Sequence, residues 1–295
     1  MGRIETRGLS RRFGDVRAVD GVDFVVRPGG LTGFVGGNGA GKTTTMRMVM
    51  GVLRPDAGEV LWDGRPITAA DRQLFGYMPE ERGLYPKQKV ADQLGYLGRL
   101  SGMSTAAARS SVDEHLERFG LTERAGDRVE ALSLGNQQRV QIIAALLHGP
   151  TALVLDEPFS GLDPSAVDAM ADVLRDRAAS GVPVLFSSHQ LDLVERLCDS
   201  LIVLARGRVV AQGSVEALRA DAPIRYLLVT ASDVGWVRDL RGVHAHDVNG
   251  SRALLEILDD GAEQAVLREA VQRGAVREFA RVVPALSEIY REVTA

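Results

Sequence analysis

The 295-residue chain has a single cysteine, Cys198. Neither an intrachain disulfide nor a cysteine-based zinc site can be built from it, which suits a reducing compartment. Long apolar runs are also missing: no window of about 18 apolar residues, the length a membrane helix needs, occurs. The nearest approach, Ile142–Leu147, is broken by His148, Gly149 and Pro150. No segment is expected to span a bilayer, so any membrane role would run through a partner. Blocks of Lys and Arg are absent too. Arginine is scattered, and the net charge of −4 argues against a protein that coats nucleic acid. The opening residues (MGRIETRG) have no apolar core of a secretory signal. Gly2 and Thr6 match a myristoylation pattern formally, which we read as chance.

What is present is an ordinary globular composition, 45% hydrophobic and 25% charged, long enough for one large domain or two smaller ones. Short β-rich runs alternate with helical patterns up to about residue 212. Strands are expected at 22–27, 31–35, 59–62, 152–156, 182–187 and 201–205. Several are continuously apolar, as in a largely parallel sheet buried on both faces. Helices fit 42–53, 90–100, 105–119, 134–147, 165–179 and 191–197, an α/β pattern with a helical insert at roughly 87–125. A short helix at 214–220 leads to a plausible linker, Asp221-Ala222-Pro223. Beyond it, strand 224–229, helix 232–240, strand 243–248, strand 253–258, helix 262–272, strand 276–282 and a final helix suggest a small ferredoxin-like α+β domain. Asn249-Gly250 between two of these strands is a hairpin signal.

Chemistry concentrates in the first part. Gly36–Thr43 (GGNGAGKT) follows a strand and opens a helix, fitting G-x-x-x-x-G-K-[ST] in its required setting. Gly36, Gly37, Gly39 and Gly41 let backbone N–H groups turn inward onto phosphate oxygens, with Asn38 and Ala40 contributing mainly backbone. Lys42 is expected at the β- and γ-phosphates, Thr43 on Mg²⁺ and Thr44 beside the α-phosphate. The apolar run 152–155 ends in Asp156 and Glu157. Strand alternation would point them to opposite sides, leaving Asp156 for Mg²⁺ and Glu157 to polarise an attacking water. His189 ends another buried strand, where it can bond a γ-phosphate and hold that water. Ser133 begins a helix whose first turn (LGNQ) has little to bury, a bare helix end suited to an anion.

These residues, in this order, resemble an ATP-binding cassette (ABC) ATPase, a P-loop NTPase with a mixed β-sheet and a helical subdomain. Gly36–Thr43 match the Walker A loop, Leu132–Gln137 the signature, Leu153–Glu157 Walker B, Ser160–Asp163 the D-loop and His189 the switch histidine. Phe13 sits where the family places an aromatic ring against adenine, more often a Tyr. The run 75–86 (FGYMPEERGLYP) resembles a bacterial subfamily of drug, sodium and antibiotic efflux ATPases, which tend to carry a small C-terminal domain. The resemblance implies an ATPase domain at 1–220, its helical subdomain at about 87–150, and an accessory domain at 221–295.

It further implies ATP and Mg²⁺ as cofactors, a separate transmembrane permease as partner, and a cytoplasmic location, peripheral on the membrane through that permease. Two such domains would pack head to tail as a homodimer or heterodimer. Ser133, Gly135 and Asn136 would then cap the γ-phosphate of ATP held by the opposite subunit, with Ser160 and Asp163 across the same interface. Glu80 stands where most of the family has Gln; it could ligate Mg²⁺ but adds negative charge near the γ-phosphate. Leu134 replaces a usual Gly, Asn136 a usual Gln and Gly37 a frequent Pro. A non-transport ABC ATPase acting on ribosomes or DNA is the alternative, disfavoured by the single cassette, the absence of long coiled coils and the low basic charge. A P-loop kinase or GTPase would lack the signature and the switch histidine. His244 and His246 share a strand face, but no nearby ligand cluster supports a metal there.

Overall fold

The computed structural model describes residues 2–81, 83–220, 223–282 and 286–294. Asp221 and Ala222 of the expected linker, and Arg82 within the run 75–86, lie outside the described residues. The chain divides into two units, Met1–Val215 and Glu216–Val293.

The first unit opens on a hairpin of β1 (Ile4–Phe13) and β2 (Val16–Val26), followed by β3 (Leu31–Val35) and α1 (Lys42–Val49). β4 (Ala57–Trp62), β5 (Arg65–Pro66), α2 (Ala69–Gln73) and β6 (Phe75–Met78) come next. Three helices that pack on one another form the insert: α3 (Val90–Leu100), α4 (Thr105–Arg118) and α5 (Leu134–Leu146). The chain then runs through β7 (Ala152–Leu155), α6 (Pro164–Ala179), β8 (Val184–Ser188), α7 (Leu191–Leu197), β9 (Ser200–Ala205) and β10 (Arg208–Ser214). α8 (Val215–Ala220) begins where the two units divide.

Two sheets result, an antiparallel one in the order β2-β1-β4-β5 and a six-stranded one in the order β10-β9-β3-β8-β7-β6. In the larger sheet β9, β3, β8, β7 and β6 run parallel, and β10 pairs antiparallel with β9, so the sheet is mixed. Every residue of β3, β7 and β8 is buried, which is why their sequences are unbroken apolar runs. One core joins the sheets, with Ile4, Phe24, Phe34, Met46, Phe75 and Val154 among its members. Each large side chain buried there contributes about 1.5–3 kcal/mol of transfer free energy.

The ten residues of β1 had no counterpart among the expected strands. Arg7, Arg11 and Arg12 and three register irregularities against β2 interrupt the alternation that would reveal it. Helix α1 ends at Val49 rather than near residue 53, because Gly51 takes φ 71° and turns the chain out of the helix.

The second unit contains β11 (Arg225–Thr230), β12 (Val243–Asn249), β13 (Arg252–Ile257), α9 (Ala262–Arg273), β14 (Val276–Val282) and α10 (Leu286–Thr294). Its sheet order is β12-β13-β11-β14, all antiparallel, the split βαβ arrangement expected of a ferredoxin-like domain. Leu228, Ala253 and Leu255 pack against Val266 and Ala270 of α9. The helix expected at 232–240 is a 3-10 turn at Gly235–Asp239. There the Asp233 carboxylate accepts from the Gly235 N–H, drawing the backbone into a local turn instead of an α-helix. The β12–β13 hairpin forms one residue later than expected. Asn249 pairs with Arg252, so Gly250 and Ser251 are the central turn residues, with Gly250 at φ 55°.

Among the described residues, no helix is long and apolar enough to cross a membrane.

Candidate functional site

Parallel neighbours end on the same edge of a sheet, so the residues that follow β3, β7 and β8 are brought together at their carboxyl ends. The loop after β3 contributes glycines for two different reasons. A Cβ on Gly36 would lie 2.5 Å from the Leu204 carbonyl oxygen and one on Gly41 2.5 Å from that of Ala18. Gly39 instead has open space but φ 76°, which L side chains rarely adopt. Gly41, at φ 105°, caps α1 without any side-chain bond, so the first turn of that helix keeps its N–H groups for a ligand. Lys42 is buried under the loop, where its Nζ donates to Gly36 O at 2.7 Å and Gly37 O at 3.3 Å.

The two acids after β7 are separated by a backbone device rather than by strand alternation. β7 stops at Leu155, and Glu157 adopts φ 51°, so the expectation that a continuing strand points them apart is corrected. Ser187 of β8 holds the arrangement: its Oγ accepts the Glu157 N–H at 2.8 Å and donates to Asp156 Oδ1 at 2.5 Å. Asp156 is 1% exposed, and among the described residues its Oδ2 has no hydrogen-bond partner. An orphaned buried carboxylate oxygen is costly unless a cation or donor meets it. Glu157 Oε2 lies 3.0 Å from His189 Nδ1, and Thr43 Oγ1 donates to Glu80 Oε2 at 3.2 Å. With Nδ1 engaged by Glu157, Nε2 is the ring nitrogen left for a phosphate.

These groups line one open cleft of about 940 Å³. Phe13, Asn38, Gly39, Ala40, Gly41, Lys42, Thr43, Thr44, Glu80, Asp156, Glu157 and His189 all reach it, whereas Gly36 and Gly37 lie beneath as the acceptors of Lys42. Phe13 is half exposed at the rim, with the Arg11 guanidinium 5.1 Å from its ring centre. Among the described residues no group of three or more His, Cys, Asp or Glu could hold a metal ion alone. The oxygen set of Thr43, Asp156 and Glu80 nevertheless fits a hard cation that completes its shell with phosphate oxygens.

Ser133, Gly135, Asn136 and Asp163 do not line this cleft, although their neighbours Leu134, Ser160 and Gly161 do. Ser133 caps α5, its Oγ accepting the Asn136 N–H at 3.3 Å, while Leu134 stands 60% exposed. A Cβ on Gly135 would come within 3.3 Å of Gly161 O. Asp163 caps α6, accepting from Ala166 N at 2.9 Å and Ser165 Oγ at 2.7 Å. Those bonds, the Ser165 hydroxyl first, hold its carboxyl below the ordinary carboxylate range. Elsewhere, burial pushes the Cys198 thiol well up, which leaves it unreactive. His246 Nε2 pairs with Glu256 at 2.5 Å, and the His244 ring stands edge-on to that of His246.

Three positioning side chains went unnoticed in the sequence: Ser187, Gln138 and Gln141. Gln138 Nε2 donates to the Glu157 and Pro158 carbonyls, both at 3.0 Å, and Gln141 Nε2 to Pro79 O at 2.7 Å. The signal available was two amides three residues apart, on the helix face continued by the apolar Ala145, a pattern that calls for buried partners.

Comparison with known proteins agrees with this geometry. Residues 19–160 match the ABC transporter family, and residues 213–294 match the C-terminal domain of DrrA1-3-like ATP-binding proteins. An uncharacterized ABC transporter ATP-binding protein of Bacillus subtilis, YhaQ, is 39% identical over 290 residues, covering 96% of each chain. Nod factor export ATP-binding protein I of Burkholderia lata is 40% identical over 218 residues, covering 73% of this chain and 72% of that one. A solved ATP-binding subunit of an ABC transporter superposes with a TM-score of 0.68 at 33% identity, covering 74% of this chain and 92% of the other. A P-loop cleft with its acids and histidine in place, on a chain this similar over nearly its whole length, leads to one assignment: the protein belongs to the ATP-binding, ATP-hydrolysing subunits of ABC transporters, which work with separate transmembrane components.

Proposed function

We propose that this subunit powers export through a separate permease, by closing on Mg·ATP as a head-to-tail pair and reopening after hydrolysis. The observation that carries the reading is the convergence of Lys42, Thr43, Glu80, Asp156, Glu157 and His189 on one cleft. ATP would lay its adenine against Phe13 and its phosphates over the N–H groups of residues 39–44. Lys42 would leave the loop carbonyls for the β- and γ-phosphates, trading neutral acceptors for charged ones. Thr43 and Asp156 would hold a magnesium ion, with Glu80 beside them, and that ion supplies charge neutralisation at the phosphates. Glu157 would orient and polarise the attacking water, and His189, fixed by Glu157, would bond the γ-phosphate.

The start of α5 supports the paired arrangement. Ser133 and Gly135 lie outside their own chain's cleft, and this chain has one set of motifs, so their phosphate would be held by a second subunit. Residues 1–220 would then form the ATPase domain and 221–295 an accessory module, with the whole peripheral on the cytoplasmic face through its permease. The export direction rests on relatives named for Nod factor export. Purifying the tagged chain from native membranes in mild detergent tests the reading. A polytopic membrane protein is the expected companion; ribosomal proteins or DNA in its place would overturn it.

A further inference from the structure

Glu80 follows β6 in a stretch without regular structure, yet its carboxylate stands at the Thr43 hydroxyl. Something must hold that stretch. Arg47 reaches Glu81 only at 3.7 Å, with the Glu81 side chain 89% exposed, an ion pair too open to fix a loop. Gln141 is placed to do so. It lies on α5, 4% exposed, with Nε2 donating to Pro79 O at 2.7 Å and lying 3.5 Å from Glu81 O. Among the described residues its Oε1 has no hydrogen-bond partner. An amide buried with its acceptor idle is costly, so the use of this position lies in what its N–H group holds.

Gln138, one helical turn earlier and 7% exposed, grips the carbonyls of Glu157 and Pro158 in the same manner. Residues three apart share a helix face, so one face of α5 is tied to the segment bearing Glu80 and to the segment bearing Glu157. α5 is also the helix that Ser133 begins.

We propose that Gln141 is a positioning residue for ATP hydrolysis: it locks the Pro79–Glu81 segment to α5 so that Glu80 stands at Thr43. The inference rests on the ATPase reading of the cleft. A displacement of α5 is then passed to both acids at once, through Gln138 to Glu157 and through Gln141 to Glu80. The position has a mechanical role that neither the phosphate loop nor the acids reveal.

Gln141→Met in the full-length chain keeps the side chain's length and removes the donor. Turnover should fall about tenfold with KM for ATP changed less than about twofold, as expected when an interaction made in the reacting state is lost. Hydrogen exchange at the Glu80 and Glu81 amides should speed up in the nucleotide-free protein, while the unfolding midpoint stays in place. In a double-mutant cycle, Gln141→Met should add nothing to the loss caused by Glu80→Ala, because both act through the same carboxylate. Gln141→Asn, which keeps an amide one methylene short, serves as a second variant should Met fold poorly, with a smaller loss in the same direction. Unchanged turnover, losses that multiply in the double mutant, or unchanged exchange would each overturn the proposal. If the wild-type chain shows no Mg·ATP hydrolysis, the ATPase reading fails on its own, and the exchange measurement alone then decides whether Gln141 fixes the segment.

Discussion

Helices α1 and α5 both begin next to glycine with no acid in the first turn, yet their ends are built differently. At α1 the capping residue is Gly41, which offers no side chain, and Lys42 lies buried beside the uncapped N–H groups. The carboxylates that complete the chemistry follow β6 and β7 of the same chain, and the histidine follows β8. At α5, Ser133 satisfies one N–H of its own helix and the exposed Leu134 stands at the cleft, which none of Ser133, Gly135 or Asn136 lines. The first end is finished within one chain. The second is built otherwise, and under the proposed head-to-tail pairing it would meet the cleft of a second subunit.

The strongest way to break that comparison is Glu157→Gln. Losing a positioned base should slow hydrolysis by roughly 10²–10⁴-fold, while the amide still accepts from His189 and leaves ATP binding intact. If α5 completes a partner's site, this variant accumulates as a dimer with Mg·ATP on gel filtration and returns to monomer when ATP is removed. A profile that stays monomeric, with or without the permease, would mean that the α5 end has no phosphate to meet.

Lys42→Ala strikes the α1 end alone. Removing a charge-assisted bond to phosphate is worth about 1.5–3 kcal/mol, or roughly a 10–100-fold loss of ATP affinity by direct titration. The fold should tolerate it, since the lysine's present partners are loop carbonyls. Ser133→Ala is the matching change at the other end. It removes a cap whose bond is long, 3.3 Å, so the stability cost should be near 0.5–1 kcal/mol. ATP affinity of the isolated subunit should stay within about twofold, while dimer formation by the Glu157→Gln protein weakens severalfold. Equal losses of nucleotide affinity from the two substitutions would erase the distinction between the ends.

The sequence made the α1 end legible because its chemistry is local: eight consecutive residues, a strand before and a helix after, each explicable by backbone geometry or phosphate reach. The larger sheet was legible for a related reason, since strands buried on both faces are written as unbroken apolar runs. β1 was not, because its arginines mask a strand that needs β2 and β4 to define its buried side. Nor was Ser187, a small polar residue in an apolar strand whose role exists only because β7 and β8 are neighbours. The left-handed turn at Glu157 is of the same kind. Alternation is a sound guide inside a strand and fails at the residue where the strand ends.

Leu134 sharpens the comparison most finely, and its expected effect is the smallest. It is 60% exposed at the first helical position, so Leu134→Gly leaves no cavity, and the lost helix propensity is confined to an end where it costs less than the roughly 1 kcal/mol of a helix interior. Monomer stability should change by a few tenths of a kcal/mol. Turnover of the dimer should change by no more than about twofold if the phosphate contact is made by Ser133 and the backbone beside it, because the side chain at 134 then only shapes the rim. A larger gain would mean that Leu134 holds the partner's nucleotide at a distance and that the α5 end of this subunit is tuned for slow closure. Measuring ATPase rate against protein concentration separates the two: relief of a rim obstruction raises the rate at every concentration, whereas improved pairing shifts the concentration at which the rate saturates.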